Sequence, residues 1–257
     1  MTAAADLHRI QAYLRVAAPR GRDYERIGPF LATFNRQSDN PYLNYAIPDD
    51  RAAPRRAQVD ALVAAYMRRN RRPRLEYIPS IAPNVEAALL EAGFEVEART
   101  PLMIYGGNTP AISEPAGIEI AMATSEEDLG DAAAVQWEAY GESGAMPQSA
   151  TEGLHRTIEV GGIVILARAA TTREPAGAGL CTGPHDRTTE LAAVGVREQF
   201  RRRGIAAAMT RLLTAEAQAR GIDNVFLMAE GAPEERIYAR VGFETISEVL
   251  HISLTTS

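Results

Sequence analysis

Two separate stretches of this chain carry the same order of structural signals, and that repetition constrains the fold more than any other feature. Leu75-Glu76-Tyr77-Ile78-Pro79, then Pro83 to Leu90, then Ala92-Gly93-Phe94-Glu95 is matched by Val225 to Ala229, Pro233 to Tyr238 and Val241-Gly242-Phe243-Glu244. Each set reads as strand, proline-initiated helix, Gly-Phe stop and a further strand. Pro83 and Pro233 suit a first helical turn, where a missing N–H costs nothing, and Gly93 and Gly242 suit the left-handed position past a helix end. A single Gly-Phe match carries no weight, but the ordered set points to two copies of one α/β unit. With 257 residues the chain has room for two medium cores. Between the copies, Gly106-Gly107-Asn108-Thr109-Pro110, trailing to Pro115, breaks the apolar pattern. The expected division is 1–107, a linker at 108–115, and 116–257.

The second half is the more legible. Ile118 to Ala123 alternates as an opening strand, and Ser125-Glu126-Glu127-Asp128 reads as a capped, acidic helix start. Gly162 to Ala169 and Gly177 to Thr182 form an expected hairpin around Thr171 to Pro175. Glu190 to Val196 is another strand. From Arg203 to Arg220, apolar residues at Ile205, Ala208, Met209, Leu212, Ala215 and Ala219 define an amphipathic helix stopped by Gly221. Val225 to Ala229 is apolar on both faces, as in a covered central strand. The fold class is mixed α/β: two units, each a central mixed sheet flanked by helices.

The junction of that strand and that helix carries the chemistry. Leu191 to Val196 feeds a short polar loop, which enters the helix through Arg201-Arg202-Arg203-Gly204-Ile205-Ala206. A first helical turn holds N–H groups without intrahelical partners, and the macrodipole adds partial positive charge there. Such a turn suits a pyrophosphate. Gly204 permits close backbone approach, Ala206 and Ala207 keep the surface small, and the three arginines can add charge. On its own the hexapeptide reads equally well as a helix end with solvated arginines. The chain contains no lysine, so all 27 basic residues are arginine, and a compositional bias of that kind weakens any argument from one arginine.

With Glu190-Leu-Ala-Ala-Val-Gly-Val196 ahead of this turn and Tyr238-Ala-Arg-Val-Gly242-Phe243 behind it, the segment resembles the GNAT N-acetyltransferase superfamily. The signature there is Arg/Gln-x-x-Gly-x-Gly/Ala opening a helix, followed by a tyrosine four residues before Gly-Phe. The resemblance is strongest over residues 190–244, and before 190 it rests on the order of elements. It implies an enzyme that moves the acetyl group of acetyl-CoA directly to a primary amine of a small molecule or peptide. Ala193, Val194, Gly195 and Val196 would meet the pantetheine arm, and a backbone N–H there would polarise the acetyl carbonyl. Arg201, Arg202, Arg203, Gly204, Ile205, Ala206 and Ala207 would hold the pyrophosphate.

The same resemblance makes Tyr238 the expected proton donor to the departing thiolate, with a packing role as its alternative. Glu190 is the best-placed base, acting through water, although a glutamate near a strand start is often only solvated; Glu138 and Tyr140 are further options. Gly231 stands where the family often has a cofactor-contacting asparagine, so the thiol end of the site departs from the pattern. A non-catalytic acyl-CoA-binding sensor remains the alternative function.

The first half is a degenerate copy. Leu89 stands where Tyr238 stands in the other, and Ala52-Ala53-Pro54-Arg55-Arg56-Ala57 falls where the phosphate turn should be. Without glycine, and with a proline that lacks an N–H, it is a poor anion nest, so no acetyl-CoA is expected there. Arg68, Arg69, Arg71, Arg72 and Arg74 read either as a patch for an acidic partner or as a solvated helix end.

Composition closes off other classes. The formal net charge of −6 argues against nucleic acid or an anionic membrane as main partner. Cys181 is the only cysteine, which excludes an internal disulfide and a cysteine-cluster metal site. No metal is expected. No secretory signal or membrane-spanning run is present, so a soluble, cytoplasmic protein is expected, as monomer or homodimer.

Overall fold

The computed structural model describes residues 3–36, 38–108, 113–141 and 144–255. The chain divides into two compact units, Met1–Leu102 with Thr245–Ser257, and Met103–Glu244. Both are mixed α/β.

The first unit contains α1 (Ala3–Ala17), β1 (Asp23–Ile27), β2 (Phe30–Phe34), β3 (Ala46–Pro48), α2 (Arg56–Met67), β4 (Arg74–Tyr77), α3 (Val85–Glu91) and most of β5 (Glu95–Tyr105). The first three strands pair antiparallel, and β3 meets β4 in parallel at the single pair Ala46↔Leu75. Most of the closing strand of the chain, β11 (Phe243–Ser253), also belongs here: Leu250–Ser253 pairs antiparallel with Tyr77–Arg74. This division differs from a cut at residues 108–115, because β4 is buried at Arg74, Leu75 and Tyr77 and needs a strand on its open side. Residues 109–112 of the expected linker lie outside the described residues.

The arginine run is consumed within this unit. Arg68 and Arg69 face Glu25, Arg72 faces Glu97, and Arg71 donates to the carbonyl of Asn35. Arg74 is fully buried, ion-paired with Glu76 and Glu97 and lying over the Tyr42 ring. Neither sequence reading covered Arg74: a buried cation of this kind persists only because two carboxylates compensate its desolvation.

The second unit contains β6 (Ile118–Met122), α4 (Glu126–Ala139), α5 (Gln148–Glu159), β7 (Ile163–Ala169), β8 (Pro175–Cys181), β9 (Thr188–Val196), α6 (Ile205–Ala219), β10 (Asn224–Met228) and α7 (Ala232–Ala239). Strands β6 to β9 pair antiparallel in sequence order, and β10 joins β9 in parallel. Helix α4 starts at a capping box in which Ser125 accepts from the Asp128 N–H and Asp128 reaches back.

The period of a strand shows directly in β7. Ile163, Ile165 and Ala167 enter one core with Leu191, Met209, Leu213 and Val225, on the α6 side. Val164 and Leu166 enter the other with Leu129, Ala132, Val135 and Leu154, from α4 and α5. Both faces are therefore covered, which is why β7 and β8 read as unbroken apolar runs. Each fully buried Leu or Ile contributes about 1.5–3 kcal/mol, so this double layer is a rigid base for whatever β9 and α6 present. Among the described residues, no helix is long and apolar enough to cross a membrane.

Candidate active site

The site is built at the end of β9, and it begins with a bulge. Leu180↔Ala192 and Ala178↔Gly195 are paired across β8 and β9, so Ala193 and Val194 together oppose Gly179 alone. Ala193 takes up the extra residue with φ +53°, a left-handed conformation that costs an alanine about 1 kcal/mol or more. Helix α4 comes very close here. A Cβ on Gly195 would lie 2.6 Å from the Ala139 Cβ, so only glycine fits. Gln136, one turn back on α4, donates its side-chain amide to the Ala193 carbonyl at 3.0 Å.

On its other edge β9 parts from its neighbour. The parallel pairing with β10 covers Thr188↔Asn224, Thr189↔Val225 and Glu190↔Phe226 only, three pairs in all. Beyond Glu190, the strand continues to Val196 without β10 as a ladder partner. The result is a V-shaped opening whose one wall is the backbone of Leu191 to Val196, with Glu190 at its apex.

At the top of the V the chain makes one 3₁₀ turn at Glu198–Phe200 and enters α6. Gly204 is the N-cap, with φ +79°. A Cβ placed there would meet nothing within 4 Å, so glycine is required by its backbone conformation, and the space before the helix stays open. This also starts α6 at Ile205 rather than Arg203. Ala206 and Ala207 are half-buried and short, leaving the first-turn N–H groups facing an unobstructed surface. The residues present thus fit a pyrophosphate.

The three arginines divide their tasks. Arg201 donates from Nε to the Val196 carbonyl at 3.1 Å, tying the turn to the end of β9. Arg203 donates to the Ala116 carbonyl at 2.9 Å and lies over the Phe200 ring. Arg202, in a left-handed conformation and exposed, has no partner among the described residues. Two of the three are thereby structural as well as cationic, a distinction the composition could not make.

Tyr238, on α7, is half-buried against the core of this unit. Its ring meets Phe243 with centroids 6.1 Å apart at 63°. Burial pushes its phenol well above the ordinary tyrosine range, with Tyr140, Glu234 and Glu230 adding to the rise. Tyr140, at the C-cap of α4 and 54% exposed, is raised in the same direction by desolvation first and then by Glu230 and Glu190. Tyr140 therefore lies within electrostatic reach of Tyr238, Glu190 and Glu230, and Tyr238 within reach of Glu230. Glu230, two residues past the end of β10, was not singled out from sequence; its position beyond the end of the strand that pairs with β9 was the available signal.

Glu138 is already engaged. Both of its carboxylate oxygens lie 2.8 Å from the Arg197 guanidinium, which makes it a poor base. Gly231 forms the N-cap of α7 with extended backbone and offers no side chain to a ligand. Cys181 is fully buried, and that burial pushes its thiol up to about 12, so it is an inert packing group. His185 pairs through its backbone with Thr188, and His251 sits beside Arg74 and Glu76 in the first unit.

The corresponding positions of the first unit are built differently. Between β3 and β4, the fully buried Gln11 of α1 accepts from the Ile78 N–H at 3.2 Å and donates to the Pro48 carbonyl at 3.4 Å. Helix α2 begins at Arg55, whose N–H is satisfied by the Gln58 side chain in a capping box. Leu89, the counterpart of Tyr238, is fully buried.

Comparison with known proteins bears on the family and the fold. The model of the Acetyltransferase (GNAT) family matches residues 131–243. A GCN5-related N-acetyltransferase from Kribbella flavida superposes with a TM-score of 0.78 at 23% identity, over 98% of this chain and 96% of that one. A tandem GNAT protein from the clavulanic acid biosynthesis pathway gives 0.65 at 14% identity, over 93% and 85%. A GCN5-related N-acetyltransferase from Sphaerobacter thermophilus gives 0.64 at 19%, over 88% and 76%. At these identities the likeness is one of fold. No curated protein matches the sequence.

Proposed function

We propose that this chain, whose residues 131–243 match the model of the Acetyltransferase (GNAT) family, moves the acetyl group of acetyl-CoA directly to a primary amine of a small molecule or peptide. The observation that carries the reading is the V between β9 and β10, capped by the left-handed Gly204 at the start of α6. One wall offers backbone groups to an extended chain, and its upper end offers unpaired helix N–H groups to a pyrophosphate.

In this reading the first-turn amides of α6 and the Arg202 guanidinium hold the diphosphate. The strand Ala193 to Val196 hydrogen-bonds the pantetheine arm, and one of its N–H groups stabilises the oxyanion as the amine nitrogen bonds to the acetyl carbon. Glu190 accepts the proton lost by the amine, through a water. As the C–S bond breaks, Tyr238 gives its proton to the thiolate, and the products are the amide and free CoA. Burial suits Tyr238 to this task, since it keeps the phenol protonated throughout the neutral range. No metal enters the scheme. A soluble, cytoplasmic setting and a small amine as acceptor belong to the same reading, and the acidic balance favours a cationic amine over nucleic acid or an anionic membrane.

One acetyl-CoA per chain belongs to the same proposal, because Gln11 bridges the strands of the first unit where the opening lies in the second. The deciding experiment is acetyl-CoA-dependent thiol release by the full chain across a panel of primary amines. Turnover with at least one amine is expected. Tight acetyl-CoA binding without turnover on any of them would replace the enzyme with an acyl-CoA sensor.

A further inference from the structure

The bulge in β9 needs something to hold it, and the sequence motifs leave that something unassigned. Ala193 occupies a left-handed conformation without glycine's freedom, and the extra residue withdraws part of the backbone from the β8 ladder. A carbonyl withdrawn in this way requires another donor. Gln136 supplies it at 3.0 Å, from a helix that the bare Gly195 allows to approach until its Cα is 3.9 Å from where a Cβ would stand.

We propose that Gln136 is a positioning residue of the acetyl site: its amide fixes the Ala193 carbonyl on the α4 side and so fixes the strand N–H groups that follow, which polarise the acetyl carbonyl. The inference rests on the acetyl-CoA reading above and deepens it. Gln136 touches neither substrate; it acts through the strand. A glutamine suits the role because it is long enough to cross from the helix and has an N–H₂ donor to aim at a carbonyl, whereas a glutamate of the same length places an acceptor there. The bulged N–H and C=O directions are coupled through rigid peptide planes, so releasing one end lets the other rotate. A misplacement of this size costs the reaction more than it costs binding, because the oxyanion forms only in the transition state.

The test compares wild type with Gln136→Met and Gln136→Glu, using calorimetric titration with acetyl-CoA and with CoA, and kcat with any amine turned over. Wild type is expected to hold acetyl-CoA more tightly than CoA. Gln136→Met, which keeps the volume and removes the donor, should narrow that ratio by about threefold or more while leaving CoA affinity alone. It should also lower kcat by about tenfold, with KM for acetyl-CoA little changed. Gln136→Glu should regain activity relative to Gln136→Met as the pH is lowered, because a protonated carboxyl can donate to Ala193.

Several results would overturn the idea. They are equal wild-type affinity for the two ligands, parallel weakening of both in Gln136→Met, or variants indistinguishable from wild type. Wild type binding neither ligand sinks the acetyl-CoA reading itself, which separates the two failures.

Discussion

The ring of Tyr238 meets the ring of Phe243 nearly edge-on, with centroids 6.1 Å apart. Phe243 is buried and follows Gly242 just past the end of α7, so the turn that closes the helix also brings Phe243 against the phenol ring. Tyr238→Phe keeps this ring contact and removes only the hydroxyl. It should lower kcat by about 10²-fold or more with an unchanged melting temperature. Unchanged turnover would reduce Tyr238 to a packing residue.

The pH dependence follows from the same burial. A general acid acts in its protonated form, which is lost as pH rises through its pKa. Desolvation first, and then Tyr140, Glu234 and Glu230, hold the Tyr238 phenol above its ordinary value of about 10. The alkaline side of the kcat profile should therefore show no fall from this group below about pH 10. A falling limb near neutrality that disappears in Tyr238→Phe would contradict the assignment.

Gly204 is left-handed with open space on its side-chain face. Gly204→Val pays in backbone strain, about 1–2 kcal/mol, and places a branched side chain where a phosphate would approach. Acetyl-CoA affinity should drop by about tenfold or more, measured by calorimetry, while circular dichroism stays native. A Kd equal to wild type would rule out the α6 turn as the phosphate site.

Gly195 presents the opposite case, for its limitation is space: the Ala139 Cβ stands 2.6 Å from any added Cβ. Gly195→Ala should cost about 1–3 kcal/mol by denaturant titration. Adding Ala139→Gly should recover part of that loss in a double-mutant cycle, and additive losses would mean that the contact is not what limits the site.

Acid stability has an identifiable contributor. Although desolvation raises it, hydrogen bonds from Ser125 and Arg168 hold the Asp128 carboxyl down to about 2. A depressed carboxylate contributes stability that is complete above its unfolded pKa of about 3.9 and is lost as pH falls toward 2. Arg168→Met should therefore lower the melting temperature at pH 7 more than at pH 2. Equal losses at both would remove Asp128 from the acid response.

Much of this was legible in the chain itself. The hairpin, α6, β10 and the Gly-Phe stops follow from periodicity and from proline and glycine positions, which act locally. The apolar pattern places the start of α6 two residues early, at Arg203, because it does not reveal that Gly204 is a left-handed N-cap. The bulge at Ala193 was not legible either, since an alanine in that conformation carries no compositional mark and depends on Gln136 reaching it from α4. The pairing of Glu138 with Arg197 was equally hidden, because it joins residues from two elements that only packing brings together. Composition also obscured the arginines: it could not tell the buried Arg74 from the exposed Arg202.

The placement of β11 bears on how the protein is made. Residues Thr245–Ser257 count with a unit whose other members end at Leu102, and Leu250–Ser253 among them pair with β4. During synthesis from the N-terminus, that first unit waits with an open strand edge until the whole intervening unit has left the ribosome. A late-arriving strand of such long sequence separation makes folding slow and leaves an edge prone to self-association. A stop codon before residue 245 should therefore harm the half of the protein translated first.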